Sequence, residues 1–286
     1  MSPTLIRRSL LIAALGLVPA TGVRAQSVLL EIIGKPGATV GYRVAAIGDV
    51  DGDAVPDILT SDGSMDGYVS VYSGATGSLI RSHIGESGSW FGESLSGVGD
   101  VNSDGVPDYV VGAYGFPDLR YFGAAGVYSG KDGSLLHAFT GDSDEDNFGW
   151  SLSAAGDVDL DGVPDIIVGA PVENHVWHRT KPAYVRVFSG RTGSKLLEVQ
   201  GAQSNHRYPE TSDGLGVAVA GMGDLDGDGH PDFVAAGWAG GVHAYSGKDD
   251  RLMFSLLEMA RWIQLGPSAD IDGDGTNDII ASLAVR

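Results

Sequence analysis

The sequence predicts an all-β protein, specifically a β-propeller of about five blades. Three observations support this prediction: a nine-residue acidic motif occurs five times, successive copies start 46 to 67 residues apart, and short apolar segments flank them. Spacings near 50 residues are typical of propeller blades, in which four short strands form one sheet. The apolar segments lack the 3.6-residue period of amphipathic helices. We therefore expect short strands joined by tight turns.

The acidic motif has a consistent order of residue types. It carries Asp at position 1, Asp or Asn at 3, Asp at 5, usually Gly at 6, usually Pro at 8 and Asp at 9. The five copies are DVDGDAVPD (49–57), DVNSDGVPD (100–108), DVDLDGVPD (157–165), DLDGDGHPD (224–232) and DIDGDGTND (270–278). Carboxylates at alternate positions of a tight loop offer the hard oxygen ligands that calcium prefers. We predict about five Ca²⁺ sites, one in each loop.

Each predicted site takes side-chain ligands from positions 1, 3, 5 and 9 and the backbone carbonyl of position 7. Gly at position 6 permits a sharp bend, and Pro at position 8 biases residue 7 towards an extended backbone. Position 12 lacks the Glu of an EF-hand, so the loop is of another kind. The predicted ligands are Asp49, Asp51, Asp53, Asp57, Asp100, Asn102, Asp104, Asp108, Asp157, Asp159, Asp161, Asp165, Asp224, Asp226, Asp228, Asp232, Asp270, Asp272, Asp274 and Asp278.

The charge of the chain supports this interpretation of the loops. There are 18 Lys and Arg against 37 Asp and Glu, which gives a formal net charge of −19. The five loops hold 19 of these acidic residues, so about half of the acidity is local. Metal-free polar turns are the alternative, but their carboxylates would repel one another. Such acidity argues against a nucleic-acid partner, and the absence of cysteine excludes disulfides as the stabilising element.

The strands of each unit can be placed in order along the chain. The first and second strands flank the acidic loop, and the third ends in Ser-Gly in four units before a tight turn to the fourth. The predicted first and second strands are 42–47 and 58–60, 94–98 and 109–111, 151–155 and 166–168, and 217–222 and 233–235. The predicted third and fourth strands are 68–72 and 78–84, 125–128 and 134–140, 184–188 and 195–200, and 242–245 and 252–258.

The two ends of the chain predict incomplete units. Residues 28–33 have the pattern of a fourth strand, and residues 279–282 have that of a second strand. Together they predict a split fifth blade that closes the ring, although its third strand is missing. The alternative is that the chain is a truncated piece of a larger propeller.

The N-terminal residues 1–25 predict a secretory signal peptide, and residues 26–286 predict the propeller domain. The signal comprises Arg7 and Arg8, an apolar run at 10–18, and the small-residue cleavage site Val23-Arg24-Ala25. The run is too short to span a bilayer, so we expect no transmembrane segment in the mature chain. Arg7-Arg8 also loosely resembles a twin-arginine signal, so both export routes stay open. The expected location is secreted, periplasmic or at the cell surface.

The units resemble the FG-GAP repeat of integrin α-subunit propellers and their bacterial secreted relatives. Unit three has Phe148-Gly149 before its first strand and Gly169-Ala170-Pro171 after its second, and unit two has Phe91-Gly92 and Gly112-Ala113-Tyr114. The other units lack the full signature, and family propellers usually have seven blades. The resemblance implies that the loop calcium is structural and that the loop carboxylates are ligands rather than catalysts.

A partner surface is predicted on the face opposite the acidic loops, where the longer connections 114–123, 172–183 and 202–214 emerge. These connections concentrate aromatic and cationic residues, which is typical of binding surfaces on long loops. The candidates are Tyr121, Trp177, His178, Arg179, Arg207 and Tyr208. They indicate a non-enzymatic adhesion or interaction module for a protein or glycan partner. The alternative is that these aromatic residues pack on the blade ends.

Other functions also remain open at this point. No nucleophile elbow, phosphate-binding glycine loop or zinc-protease motif occurs, so no catalytic residue is predicted. A polysaccharide lyase or hydrolase on a propeller scaffold would use Tyr, His and Arg of the long connections. A fragment of a larger cell-surface protein would carry its activity elsewhere. His175, His178 and His206 are a further candidate set for a transition metal.

Overall fold

The computed structural model describes residues 9–12, 30–33, 40–115, 122–143, 146–171, 182–202, 213–238, 241–256, 262–265, 270–273 and 277–284. All regular secondary structure in these residues is β-strand, so the all-β prediction is confirmed. The first two strands, β1 (Ser9–Ile12) and β2 (Leu30–Ile33), pair antiparallel. Strand β1 lies within the predicted signal peptide.

Four antiparallel sheets of four strands follow, which we call blades 1 to 4. Blade 1 contains β3 (Val44–Ala46), β4 (Ile58–Ser61), β5 (Tyr68–Tyr72) and β6 (Leu79–Ile84). Blade 2 contains β7 (Phe91–Gly99), β8 (Asp108–Ala113), β9 (Ala124–Tyr128) and β10 (Leu135–Thr140). Blade 3 contains β11 (Ser151–Gly156), β12 (Asp165–Ala170), β13 (Tyr184–Phe188) and β14 (Lys195–Gln200). Blade 4 contains β15 (Ala218–Gly223), β16 (Asp232–Gly237), β17 (Gly241–Tyr245) and β18 (Leu252–Leu256).

Burial follows the position of each strand within its blade. The second strands β8, β12 and β16 are buried along almost their whole length, because other blades or strands cover both of their faces. The fourth strands, at the outer edge, are only partly buried; Leu135 of β10, for example, is 54% exposed. Val, Ile and Ala dominate the buried strands, as expected for sheets covered on two sides.

The blades pack face to face through their inner strands. Strand β3 lies beside β7, β7 beside β11, and β11 beside β15. A separate apolar core fills each junction between consecutive blades, with Leu59 and Tyr109 in the first, Ile166 in the second and Ile167 in the third. Because each blade contributes to the core on either side of it, no internal blade is stable in isolation.

The chain ends form two further two-stranded sheets. Strand β19 (Trp262–Leu265), which was not predicted from the sequence, pairs with β20 (Ala281–Ala284) and lies beside β15, in the position of a first strand. At the other end, a Cβ on Gly77 would lie 2.7 Å from a side-chain carbon of Leu30 in β2. Among the described residues, no hydrogen-bonded ladder joins β2 to β20. The split fifth blade that would close the ring therefore stays a prediction.

Candidate metal centre

Each acidic loop connects the first and second strands of its unit. The loops in blades 2, 3 and 4 end at Asp108, Asp165 and Asp232, which are also the first residues of β8, β12 and β16. The sheet therefore fixes the last carboxylate of each loop, and the hairpin turn carries the others. In every blade the first strand runs towards this end, so the acidic loops share one end of the assembly.

The structure brings carboxylates together in four of the five loops. In each group, one oxygen from each carboxylate lies within 4.8 Å of the others. The groups are Asp49, Asp51 and Asp53; Asp157, Asp159 and Asp165; Asp224, Asp226 and Asp232; and Asp270, Asp272 and Asp278. In the remaining loop, the Asn102 side chain donates a hydrogen bond to Asp104 at 3.1 Å. Asp274 lies outside the described residues.

Backbone amides inside each loop orient the carboxylates of positions 1 and 3. In the third loop, Asp157 accepts hydrogen bonds from the backbone N–H of Asp161 and of Gly162, both at 2.9 Å. Asp159 accepts a longer bond of 3.2 Å from Asp161. Equivalent bonds in the first and fourth loops lower the pKa of Asp49, chiefly through the N–H of Ala54, and the pKa of Asp224, chiefly through the N–H of Gly229. The carboxylates of Asp49 and Asp224 are therefore held in their ionised form by the loop backbone before any cation binds.

Position 5 contacts a cation of its own blade in two of the loops. Asp161 accepts a hydrogen bond from Arg191 at 2.8 Å, and Asp228 lies 3.6 Å from the Lys248 ammonium. Both cations come from the turn between the third and fourth strands of the same blade. Among the position-5 residues that the structure describes, Asp53 joins a group, whereas position 9 takes part in the groups of the third and fourth loops in place of Asp161 and Asp228.

Position 9 has a role that the sequence did not reveal. Asp57, Asp108, Asp165 and Asp232 have no exposed surface. One oxygen of Asp165 accepts the N–H of Val158 in its own loop at 2.7 Å, and the other accepts the N–H of Gly190 at 2.9 Å. Gly190 belongs to the Ser-Gly turn between the third and fourth strands. The same pair of bonds recurs at Asp57, Asp108 and Asp232.

These two bonds join two turns that are far apart in sequence. The turn between the third and fourth strands requires glycine at its bonding position. A Cβ at Gly190 would lie 1.9 Å from the carbonyl oxygen of Pro164, which is closer than atoms can approach. Gly74, Gly130 and Gly247 have the same close contact with Pro56, Pro107 and Pro231. The Ser-Gly pairs and the Pro at position 8 of the motif are therefore parts of one structural unit, which we call the two-turn clamp.

Burial of the clamp carboxylates is costly when they are ionised. Burial raises the pKa of Asp165 to about 6, against the opposing effect of the Gly190 and Val158 amides, and it also raises the pKa of Asp108 and Asp232. An Asp in an unfolded chain has a pKa of about 3.9. Without a cation, the contribution of Asp165 to stability therefore decreases as the pH rises from about 4 to about 6. A cation beside these carboxylates would offset this cost.

The loops of successive blades also touch one another. The glycine before each of the first four loops has a positive φ. A Cβ on it would come within about 3 Å of the position-8 proline of the next loop in three cases: Gly48 and Pro107 at 2.8 Å, Gly99 and Pro164 at 3.0 Å, and Gly156 and Pro231 at 2.8 Å. In the fourth junction, Asn277 lies near Gly223 and donates a hydrogen bond to the carbonyl of Met222 at 2.8 Å. Order in one loop is therefore coupled to order in the next.

The chemistry of the loop groups fits calcium better than other metals. The side chains that converge are all carboxylates, which offer oxygen ligands, with no His or Cys among the grouped residues. Hard oxygen ligands on a flexible loop suit Ca²⁺, whereas Zn²⁺ and copper prefer nitrogen or sulfur. The described residues therefore fit a calcium ion in four loops.

The predicted partner residues cannot be placed in this structure. Tyr121, Trp177, His178, Arg179, Arg207 and Tyr208 all lie outside the described residues, as do His175 and His206. The structure instead shows two aromatic residues at the end opposite the acidic loops that the sequence analysis missed, Trp90 and Trp150, beside Tyr114, the first residue of the predicted connection 114–123. A signal was present, because Trp90 and Trp150 directly flank the Phe-Gly pairs of units two and three.

The described residues contain no helix that is long and apolar enough to cross a membrane.

Comparison with known proteins agrees with the repeat pattern. The family model for the FG-GAP repeat matches residues 148–188, which cover blade 3 from its Phe-Gly pair to its third strand. Integrin alpha-5 of Xenopus laevis is 32% identical over 211 residues, which are 68% of this chain and 19% of that protein. Integrin alpha pat-2 of Caenorhabditis briggsae is 30% identical over 227 residues, 71% of this chain and 18% of that protein. Integrin alpha-8 of Homo sapiens is 28% identical over 219 residues, 71% and 20% respectively. The chain thus spans about a fifth of the length of these relatives.

We predict that the Asp165→Ala variant destabilises the metal-free chain by roughly 2–5 kcal/mol. The substitution leaves the buried N–H groups of Val158 and Gly190 without an acceptor, and each costs about 1–3 kcal/mol. Urea unfolding in chelator, followed by circular dichroism, measures the effect. The matched control is Asp159→Ala in the same loop, whose side chain is exposed and should change metal-free stability by about 0.5 kcal/mol or less. Equal losses in the two variants would contradict the two-turn clamp.

A second prediction concerns Ala54, the one position 6 that is not glycine. Its φ is 68°, while Gly105, Gly162 and Gly229 have φ of 86°, 87° and 93° with open space around them. A left-handed conformation costs a residue with a Cβ about 1–2 kcal/mol, partly offset by the greater freedom of glycine in the unfolded chain. We expect Ala54→Gly to stabilise the chain by about 0.5–1 kcal/mol and Gly162→Ala to destabilise it by about as much. Denaturant midpoints would show both effects, and a loss of stability in Ala54→Gly would contradict this account.

Proposed function

Because this chain carries an FG-GAP repeat and is distantly homologous to integrin α subunits over about 70% of its length, we propose that it is an exported, calcium-stabilised adhesion or interaction module. It binds a protein or glycan partner and catalyses no reaction. The observation that carries the proposal is the acidic loop, repeated at the same place in successive blades, with converging oxygen ligands in four of its five copies. Similarity to integrin alpha chains supports the adhesion role.

The proposed ligands are the carboxylates and the amide at positions 1, 3, 5 and 9 of all five loops, with the position-7 carbonyl. In the third loop these are Asp157, Asp159, Asp161 and Asp165. Bound Ca²⁺ supplies positive charge that offsets repulsion among these groups. The residues of the chain do the rest: loop amides hold positions 1 and 3, and the clamp carboxylate joins the loop to the Ser-Gly turn. In this proposal calcium stabilises the fold, and the partner binds elsewhere.

Export is part of the same proposal. Residues 1–25 are the signal, and cleavage before Gln26 releases the domain of residues 26–286 to the periplasm, the cell surface or the medium. Strand β1 lies inside the signal, so cleavage deprives β2 of this partner. Extracellular compartments hold millimolar calcium, which suits loops of this type.

We predict that calcium raises the thermal stability of residues 26–286. For dissociation constants of about 0.1–1 mM, millimolar Ca²⁺ adds roughly 0.4–1.4 kcal/mol per site. Four or five sites together correspond to a rise in Tm on the order of 5–15 °C. Circular dichroism melts in Ca²⁺, in Mg²⁺ and in chelator measure it, and Mg²⁺ should have a smaller effect because it requires stricter octahedral geometry.

The matched variants for this experiment are Asp157→Asn with Asp159→Asn, which alter one loop, and Glu86→Gln, which removes an exposed carboxylate outside all loops. The double variant should lose the share of the calcium-dependent rise in Tm that corresponds to one site. The Glu86→Gln variant should keep the whole rise. A melt that is equal in calcium and chelator would contradict the proposal.

We also predict that the exported chain begins at Gln26. Expression of the full sequence in an export-competent bacterium, followed by mass spectrometry of the exported fraction, measures the N-terminus directly. Lys substitution of Arg7 and Arg8 together distinguishes the two routes, because twin-arginine export requires the arginine pair and the general route accepts lysine. An extracellular chain that retains residues 1–25 would show that the segment is not a cleaved signal.

A further inference from the structure

A cavity of about 630 Å³ lies among the inner strands of the blades. It is lined by the starts of the first strands, including Arg43, Glu93 and Ser151, and by aromatic rings. Glu93 precedes the acidic loop of its blade by seven residues, or about 20 Å of strand at roughly 3.3 Å per residue. The cavity therefore opens at the end opposite the candidate calcium loops, and its volume is within the roughly 300–1,000 Å³ typical of small-ligand sites.

The aromatic residues form a continuous wall. The rings of Trp90 and Tyr114 are nearly parallel with centroids 5.9 Å apart, and Tyr114 and Trp150 are 4.9 Å apart. Trp238 extends the row, edge to face with Trp150 at 6.0 Å. All four side chains are partly exposed, unlike the aromatic residues between the blades, such as Tyr109 and Phe148, which have no exposed surface. A row of partly exposed rings beside a cavity is typical of a binding site.

The backbone around the wall makes room for these rings. Trp90 has a φ of 53°, a conformation that is rare for a bulky residue, and Gly214 occupies the equivalent place before the Leu-Gly pair of blade 4 with a φ of 64°. A Cβ at Gly115 would lie 2.7 Å from the Trp90 indole, and one at Gly214 would lie 2.5 Å from the Trp238 indole. Asn147 has a φ of 52° at the equivalent place in blade 3, so the positive φ belongs to the repeat, and in blade 2 it places the Trp90 ring at the cavity.

The polar groups of the cavity are few and already neutralise each other. The Arg43 guanidinium donates to the Glu93 carboxylate at 2.6 Å and to the Glu93 carbonyl at 2.7 Å, and the Tyr42 hydroxyl donates to the same carboxylate at 3.3 Å. Arg43 also lies 5.0 Å from the centre of the Tyr42 ring. Because Glu93 is paired and Arg43 carries a positive charge, the cavity offers no unneutralised negative charge to a cationic ligand.

We propose that this cavity binds a pyranose unit of a neutral glycan. A pyranose combines an apolar face of polarised C–H groups, which the negative faces of aromatic rings attract, with a rim of hydroxyls. Trp90, Tyr114 and Trp150 provide the surface for the apolar face, and Glu93 and Arg43 provide an acceptor and donors for the hydroxyls. This inference rests on the proposed function and specifies its partner as a glycan.

The experiment is titration of the calcium-loaded chain, residues 26–286, with neutral hexasaccharides of glucose, mannose and N-acetylglucosamine. Intrinsic tryptophan fluorescence and isothermal titration calorimetry are the readouts, since two of the five tryptophans line the cavity. We expect at least one hexasaccharide to bind and to change the fluorescence. Trp150→Ala should weaken binding by roughly tenfold or more, Trp150→Phe by less, and Glu93→Gln by an intermediate factor.

The matched control is Tyr68→Ala, an aromatic residue that is 44% exposed outside the cavity, and it should bind as the wild type does. Calcium-dependent melts of every variant establish that it is folded, and Trp150→Phe covers the case in which Trp150→Ala fails to fold. The inference is overturned if a folded, calcium-responsive wild type binds none of the hexasaccharides. It is also overturned if hexasaccharide binding survives in both Trp150→Ala and Glu93→Gln, or if tetramethylammonium displaces the bound hexasaccharide. If the folded wild type binds no hexasaccharide but still attaches to an immobilised protein in a calcium-dependent way, only this inference is overturned and the proposed function stands.

Discussion

The buried carboxylate at position 9 of each acidic loop is the interaction on which the described structure depends. At Asp57, Asp108, Asp165 and Asp232 it accepts one backbone N–H from its own loop and one from the Ser-Gly turn of the same blade. It joins the two hairpins that close one end of the blade, in a protein without disulfides. An unpaired buried carboxylate or amide costs free energy, so the acidic loop and the Ser-Gly turn, whose glycine donates the second bond, must form together.

The acidic loops bring several carboxylates close together, and nearby cations are needed to reduce the repulsion among them. Arg191, Lys248 and Arg251 from the third-to-fourth turns already neutralise part of this negative charge in blades 3 and 4. The carboxylates of four loops lie in groups that fit calcium. The glycine–proline contacts between successive loops connect the order of one loop to that of the next. A cation bound in one loop is therefore expected to order its neighbours, as in other repeat proteins with nearest-neighbour coupling.

The two ends of the blades have different chemistry because the strands separate them. One end is acidic and tightly hydrogen-bonded, while the other carries the aromatic wall and the Arg43–Glu93 pair around a cavity. The division leaves the second end available for a ligand, since the stabilising contacts of the loops lie elsewhere.

The sequence by itself determined the fold class, the four complete blades and the place of the acidic loops, because these depend on local patterns: alternating Asp, glycine at the bends and short apolar segments without a helical period. It also indicated carboxylate convergence, which depends on neighbours within nine residues. It did not indicate strand β19, nor the contact between Asp165 and Gly190, which lies 25 residues away along the chain. The tertiary structure alone decided the clamp and the aromatic wall, since Trp90 and Tyr114 flank the paired strands β7 and β8 of blade 2 and meet Trp150 of blade 3 only when these two blades pack side by side.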